Sequence, residues 1–141
     1  MKKHNLIALA NRISDAAHKQ IVRELESRGI YGIVPSHGGI LMLLFSGEKY
    51  TMKEIADKIH RTKPTVTVLV DKLIDYGYVK REKSLNDGRI TYLLLTQKGL
   101  ALKPIFFAVS EKLNTLVYRG LSDAEAEYIE NMLEKIKQNL N

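Results

Sequence analysis

Apolar and polar positions along the first third of the chain follow two different helical patterns. Over residues 5–28 apolar residues recur at three- and four-residue steps, which predicts one long amphipathic helix. A second helix is predicted to begin at Pro35, with Ser36 as its N-cap, and to end at Gly47. Its run from Ile40 to Phe45 is apolar throughout, which predicts a helix buried on every side.

Residues 51–96 have the pattern of two short helices followed by a hairpin. Thr51 and Glu54 have capping-box spacing, and Thr62 is the N-cap expected for the next helix, which ends at Gly77. Strands are predicted over residues 78–81 and 90–95, joined by a tight turn at Asp87-Gly88. Two helices and a β-hairpin in this order are typical of a winged helix-turn-helix, which reads duplex DNA.

Two further helices are predicted at the C-terminal end. One runs from Thr96 to about Tyr118, with Pro104 either bending it or lying near its start. The other opens at Ser122 and carries an apolar stripe that is too extensive for a lone peripheral helix. Burial of this stripe and of the first helix can come from a second subunit or from an intramolecular core. The residues concerned are Leu6, Ile7, Leu9, Ile129, Met132, Leu133, Ile136 and Leu140.

The predicted fold is therefore mainly α with a small β-hairpin wing, a winged helix-turn-helix flanked by N- and C-terminal dimerisation helices. Within one structural domain, residues 1–34 form the N-terminal dimerisation helix and residues 35–99 the DNA-binding module. Residues 100–141 form the C-terminal dimerisation helices. A chain of 141 residues with 45% apolar residues is long enough to bury one core.

The composition of the chain excludes several kinds of site and several classes of protein. The chain has no cysteine, which excludes structural disulfides, thiolate zinc sites and thiol-based redox sensing and suits a reducing cytoplasm. Its longest apolar run is too short to span a bilayer, and no signal-like stretch follows the basic N-terminus. We therefore expect a cytoplasmic protein without a membrane partner.

The positive charge is concentrated on the predicted DNA-binding module. The formal net charge is +6, and residues 49–92 carry ten Lys and Arg against six Asp and Glu, whereas residues 97–141 carry six of each. Such a basic footprint binds phosphates through the release of counterions. The alternative is a lysine-rich surface without a nucleic-acid partner.

The predicted second helix of the module and the hairpin supply the candidate DNA contacts. The helix start is small, hydroxylated and basic, so its side chains can donate to base edges or phosphates, and a methyl group can contact a thymine methyl. Arg89 follows the hairpin turn, where a guanidinium can enter a narrow minor groove, and Asp87 can hold it by a bidentate pair. The candidates are Thr62, Lys63, Pro64, Thr65, Thr67, Val68, Lys72, Arg81, Asp87 and Arg89.

The segment from Asp87 to Gly99 resembles the wing signature of the multiple-antibiotic-resistance regulator (MarR) family of bacterial winged-helix repressors. It matches the family's Asp-x-Arg, five residues, then Leu-Thr-x-x-Gly, and residues 66–81 are similar to the family's recognition helix and wing entry. The resemblance implies a homodimer built by the first and last helices that binds a pseudo-palindromic operator. It also implies that Arg89 is the wing arginine and Asp87 its positioning partner.

The same resemblance implies a repressor relieved by a small lipophilic or phenolic effector bound between the dimerisation helices and the DNA-binding module. The alternative is that the residues at this junction only form core. The candidate lining residues are His18, Ile33, His37, Leu41 and Phe45.

Other function classes fit the sequence less well. The chain has no nucleophile elbow, glycine-rich phosphate loop or paired-carboxylate signature, so we expect no enzyme and no cofactor. Its four histidines lack metal-ligand spacing, so no metal site is expected. Two alternatives stay open. One is an architectural protein that binds nucleic acid without sequence preference. The other is a winged-helix protein–protein adaptor, against which the basic, hydroxylated helix and hairpin argue.

Overall fold

The computed structural model describes residues 4–141; residues 1–3 of the predicted N-terminal segment lie outside the described residues. The described part is mostly helical, with three short strands that form one antiparallel sheet. In chain order the elements are α1 (Leu6–Ser27), α2 (Pro35–Leu44), β1 (Tyr50–Thr51), α3 (Met52–Ile59), α4 (Lys63–Asp75), β2 (Val79–Lys83), β3 (Thr91–Leu95), α5 (Gln97–Leu100), α6 (Lys103–Val117) and α7 (Asp123–Leu140).

The sheet has three strands where the sequence pattern predicts two. Its order is β1-β3-β2, with Tyr50 opposite Leu93 and Val79 opposite Leu95. Strand β1 is only two residues long, too short to show an alternating pattern, and it forms because the chain entering α3 runs beside β3. The third strand ties the helix-turn-helix to the hairpin.

The core lies among α2, α3, α4 and the sheet and continues to α6. Its fully buried side chains come from both helices of the helix-turn-helix, from the predicted apolar run of α2, from strands β2 and β3 and from the end of α1: Leu25, Ile40, Leu41, Leu44, Ile55, Val66, Val70, Leu73, Val79 and Leu93. The expectation that residues 40–45 are buried on every side is wrong at Met42, which is 43% exposed. Met42 lies beside a cavity between α1, α2 and α6, so this side of α2 is not closed by packing.

Helix α2 begins differently from the prediction. Val34, not Ser36, is the N-cap, because Pro35 occupies the first helical position, where its missing amide hydrogen and fixed φ suit a helix. The side chain that satisfies the Val34 N–H is His37, whose Nδ1 accepts it at 3.0 Å. Burial, and secondarily the charge of Lys72, lowers the pKa of His37, which keeps the imidazole neutral and able to accept.

The predicted helix from Thr96 to about Tyr118 is two helices. The short α5 ends at Leu100, and α6 begins at Lys103 with Pro104 in its first turn. Pro104 therefore lies near a helix start, which is one of the two alternatives predicted for it. At such a position proline costs no hydrogen bond.

The apolar stripes of α1 and α7 are not buried within one chain. Leu6, Ile7, Leu9, Ile129, Leu133 and Leu140 are between 42% and 75% exposed, and only Met132 and Ile136 are half-buried. An open apolar cleft of about 880 Å³ separates residues 4–9 from Ile136 of α7. The alternative of an intramolecular core for these residues is therefore wrong. Within residues 4–141, none of the helices has the length and apolar character needed to cross a bilayer.

Candidate nucleic-acid interface

The first turn of α4 presents a small polar surface whose geometry is set by its cap. The Thr62 hydroxyl accepts the Thr65 N–H at 3.4 Å and donates to the Thr65 hydroxyl oxygen at 2.9 Å. The Thr65 hydroxyl hydrogen therefore remains free to donate to a base or phosphate acceptor. The Thr67 hydroxyl is already used within the helix, because it donates to the Lys63 carbonyl at 2.9 Å. The methyl group of Thr67 is therefore the part of its side chain that can contact a ligand.

The buried and exposed faces of α4 are those that its pattern of apolar residues predicts. Val66, Val70 and Leu73 are fully buried, whereas Val68 is 70% exposed. An apolar side chain exposed to this extent beside polar neighbours suits contact with a thymine methyl. Six of the seven helix candidates are exposed and Thr67 is half-buried; the exposed ones are Thr62, Lys63, Pro64, Thr65, Val68 and Lys72.

The wing tip is a seven-residue loop that contains a tight turn centred on Gly88-Arg89, one residue later than predicted, in which the Ile90 N–H donates to the Asp87 carbonyl at 3.0 Å. The Ser84 N–H donates to the Ile90 carbonyl at 2.9 Å and closes residues 84–90 into a loop. Inside it the Ser84 hydroxyl accepts the amides of Asn86 and Asp87, both at 3.2 Å. The Asp-Gly signal therefore predicts the turn to within one residue, and the Ser84 hydroxyl adds a side-chain turn that lengthens the loop.

At this tip Asp87 holds Arg89 in the predicted bidentate arrangement. The Arg89 Nε lies 3.2 Å from Oδ1 of Asp87 and its Nη2 lies 3.3 Å from Oδ2, and the Arg89 N–H donates to Oδ1 at 3.0 Å. These hydrogen bonds, the side-chain ones first, lower the pKa of Asp87 and keep it ionised. The guanidinium is thereby oriented while its side chain remains 92% exposed.

Arg81, predicted as a DNA contact, is occupied by an intramolecular partner. Its Nη2 lies 2.7 Å from Oδ1 of Asp71, so the ion pair joins the wing strand β2 to helix α4. Both side chains are about half exposed, so the pair contributes little to stability. Sequence reasoning missed the role of Asp71, because nothing in a ten-residue separation between a helix and a strand indicates a contact.

Residues 96–99, part of the wing signature, hold the end of α4 in place. The Thr96 hydroxyl donates to the Gly77 carbonyl at 2.5 Å and accepts the Gly99 N–H at 3.0 Å. Lys98 donates to the Tyr76 carbonyl at 2.7 Å. These contacts join the C-terminal end of α4 to the segment after β3, so this part of the signature has a structural role that the sequence alone does not reveal.

The five candidate effector residues do not line one cavity. Ile33 lines the apolar cavity between α1, α2 and α6, which has a volume of about 160 Å³, and the exposed His18 lines a separate cavity beside Arg61. The other three candidates are core residues, as the alternative interpretation has it: His37, Leu41 and Phe45. The cavity at Ile33 also has lining residues that the sequence did not single out, among them Ile21, Val34, Phe106 and Ser110.

Comparison with known proteins gives a consistent picture. The MarR family model matches residues 35–91. The chain is 29% identical over 110 residues to the HTH-type transcriptional regulator MhqR of Bacillus subtilis, covering 77% of this chain and 75% of that protein. It is 27% identical over 101 residues to the HTH-type transcriptional repressor IacR of Pseudomonas putida, covering 72% of this chain but only 60% of that protein.

Similarity in structure extends over nearly the whole chain. The crystal structure of an S. aureus MepR–DNA complex superposes with a TM-score of 0.85 at 23% identity, covering 99% of both chains. At this identity the superposition shows a common fold, including the helices outside the matched family segment.

Proposed function

Since the chain belongs to the MarR family of transcriptional regulators, we propose that it binds a pseudo-palindromic operator as a homodimer. The observation that carries the proposal is the exposed Arg89 guanidinium, oriented by Asp87 at the tip of the wing that follows α4. In each subunit the first turn of α4 enters the major groove and Arg89 enters the adjacent minor groove. A protein of this kind acts in the cytoplasm, together with the DNA that it regulates.

The exposed apolar stripes of α1 and α7 support the homodimer. Their side chains gain burial when the same stripes of a second subunit cover them, and the cleft between residues 4–9 and Ile136 leaves further apolar surface open to such a partner. A two-fold dimer sets its two α4 helices about 34 Å apart, one turn of DNA, which matches half-sites of a palindrome.

Arg89→Ala is expected to weaken operator binding by about 1–3 kcal/mol, the scale for losing one groove contact. The operator is first selected from a random duplex pool with the wild-type protein, and the two dissociation constants are then compared by fluorescence anisotropy at several salt concentrations. We expect the variant to have a shallower salt dependence, because one cation no longer releases counterions.

Lys135→Ala serves as the matched control, since it removes a cation from α7, outside the winged module. Unchanged affinity in a folded, dimeric Arg89→Ala protein contradicts the proposed wing contact. Equal affinity of the wild-type protein for random and selected duplexes contradicts sequence-specific binding and favours the architectural alternative.

We also propose that the cavity between α1, α2 and α6 takes a small lipophilic or phenolic effector. Its volume of about 160 Å³ suits a single aromatic ring, and its walls are apolar side chains with the Ser110 hydroxyl as a polar group. Because α1 and α6 belong to the proposed dimerisation part and α2 to the DNA-binding module, a ligand here can bias their relative position.

Ser110→Phe, which adds a ring at an exposed residue of the cavity wall, is expected to abolish the response to effector while leaving operator affinity within a factor of about three. A panel of simple phenols and aromatic acids is titrated into the operator complex of each protein, and release is followed by anisotropy. Ser110→Ala, which leaves the cavity open, should still respond. If a phenol releases Ser110→Phe from the operator as well as it releases the wild type, the effector binds outside this cavity.

A further inference from the structure

The wing tip exposes an apolar side chain that the family signature does not include. Leu85 lies in the loop of residues 84–90, and its side chain is fully exposed at 103%. A leucine in this position gains nothing from folding of the single chain, because its apolar surface remains in water. Arg89 lies on the same loop, four residues later.

Hydrogen bonds order the backbone on both sides of Leu85. On one side Ser84 is fastened by its N–H to the Ile90 carbonyl, and its hydroxyl accepts the amides of Asn86 and Asp87. On the other side the Ile90 N–H donates to the Asp87 carbonyl at 3.0 Å, which closes a second, overlapping turn. Because these bonds order the loop before it meets a ligand, contact by Leu85 costs little further backbone entropy.

We propose, building on the operator binding proposed above, that Leu85 is an apolar DNA contact of the wing. It lies against the deoxyribose edge of the minor groove that Arg89 enters. The sugars that form the groove walls present C–H groups, and proteins that enter this groove commonly use leucine and other apolar side chains beside cationic ones. The tip thus contacts DNA in two ways: Arg89 makes a cationic, salt-dependent contact and Leu85 makes an apolar one.

The two contacts are separable by their dependence on salt. Burial of Leu85 releases no counterions, so its contribution to affinity stays constant as the salt concentration rises, whereas that of Arg89 falls. We expect Leu85→Ala to bind the selected operator about fivefold more weakly, since it loses one methine and two methyl groups that are partly buried in the complex. Its slope of log K against log salt should equal that of the wild type.

The test measures anisotropy over a salt series for the wild type, Leu85→Ala and Leu85→Met. Methionine keeps the apolar volume and should keep wild-type affinity. At saturating protein, hydroxyl-radical footprinting should show that Leu85→Ala loses protection of the deoxyriboses at the wing-contacted flanks. All three proteins should fold equally well, because the side chain is outside the core.

Wild-type affinity and an unchanged footprint in Leu85→Ala overturn the inference. A loss of affinity accompanied by a changed salt slope also overturns it, since the residue would then act through the nearby cations. These outcomes differ from failure of the proposed function, in which the wild-type protein itself selects no duplex from the pool.

Discussion

Replacing Gly99 by alanine is expected to lower the free energy of unfolding by about 3 kcal/mol, the upper range for forcing an atom into packed structure. A Cβ added at Gly99 would lie 2.0 Å from the Tyr78 carbonyl oxygen and 3.0 Å from Cδ2 of Leu95. The Leu95 side chain can move, but the Tyr78 carbonyl also accepts the Thr96 N–H at 3.0 Å and is held in place. The contact can be relieved only by separating α5 from the end of α4.

Urea denaturation followed by circular dichroism measures this effect. Gly88→Ala is the matched control, because a Cβ at Gly88 meets nothing within 4 Å, and its stability should stay close to that of the wild type. A Gly99→Ala protein as stable as Gly88→Ala would show that the backbone around Tyr78 is free to shift. The locking role assigned to residues 96–99 would then be wrong.

Leu133→Asp is expected to separate the subunits and to weaken operator binding by about 100-fold or more, the usual range for losing the second of two linked binding modules. The side chain is 46% exposed in the single chain, so a carboxylate there is tolerated by the fold of one subunit. In a dimer the same carboxylate would be buried against an apolar partner surface, where it is costly.

Analytical ultracentrifugation and operator anisotropy test the two parts of this expectation together. Asn131→Asp adds the same charge at an exposed position on another face of α7 and should leave both the dimer and operator affinity close to wild type. A Leu133→Asp protein that remains dimeric places the interface elsewhere. If the wild-type protein is monomeric at micromolar concentration and still binds operator, then operator binding does not require a two-fold dimer.

The sequence predicts best those features in which a residue acts on its near neighbours. The capping boxes at Thr51 and Ser122 are present with both hydrogen bonds, as their spacing predicts, and Thr62 caps α4. The bidentate hold of Asp87 on Arg89 joins residues only two positions apart. In each case the two residues in contact are only two or three positions apart, so local geometry is enough to fix the contact.

Local reasoning fails where two signals compete within a few residues. At the start of α2, proline sets the first helical position and a histidine, rather than Ser36, supplies the capping acceptor. At the wing tip, the Ser84 hydroxyl accepts the amides of Asn86 and Asp87, and the backbone turn that begins at Asp87 is centred one residue later than expected. Both alternatives were compatible with the residue types, and the difference lies in side-chain conformations that a pattern of types does not contain.

From the sequence alone one could predict the order of the main helices and of the wing hairpin, the buried face of α4, the basic charge of the DNA-binding module and the arginine of the wing. It took the packed structure to show that Arg81 is paired with Asp71, that residues 96–99 hold the end of α4, and that two effector candidates line separate cavities while the other three are core. The reason is the range of the interactions. Helix periodicity and caps act over three or four residues, whereas these contacts join residues that are distant along the chain and meet only when the elements pack together.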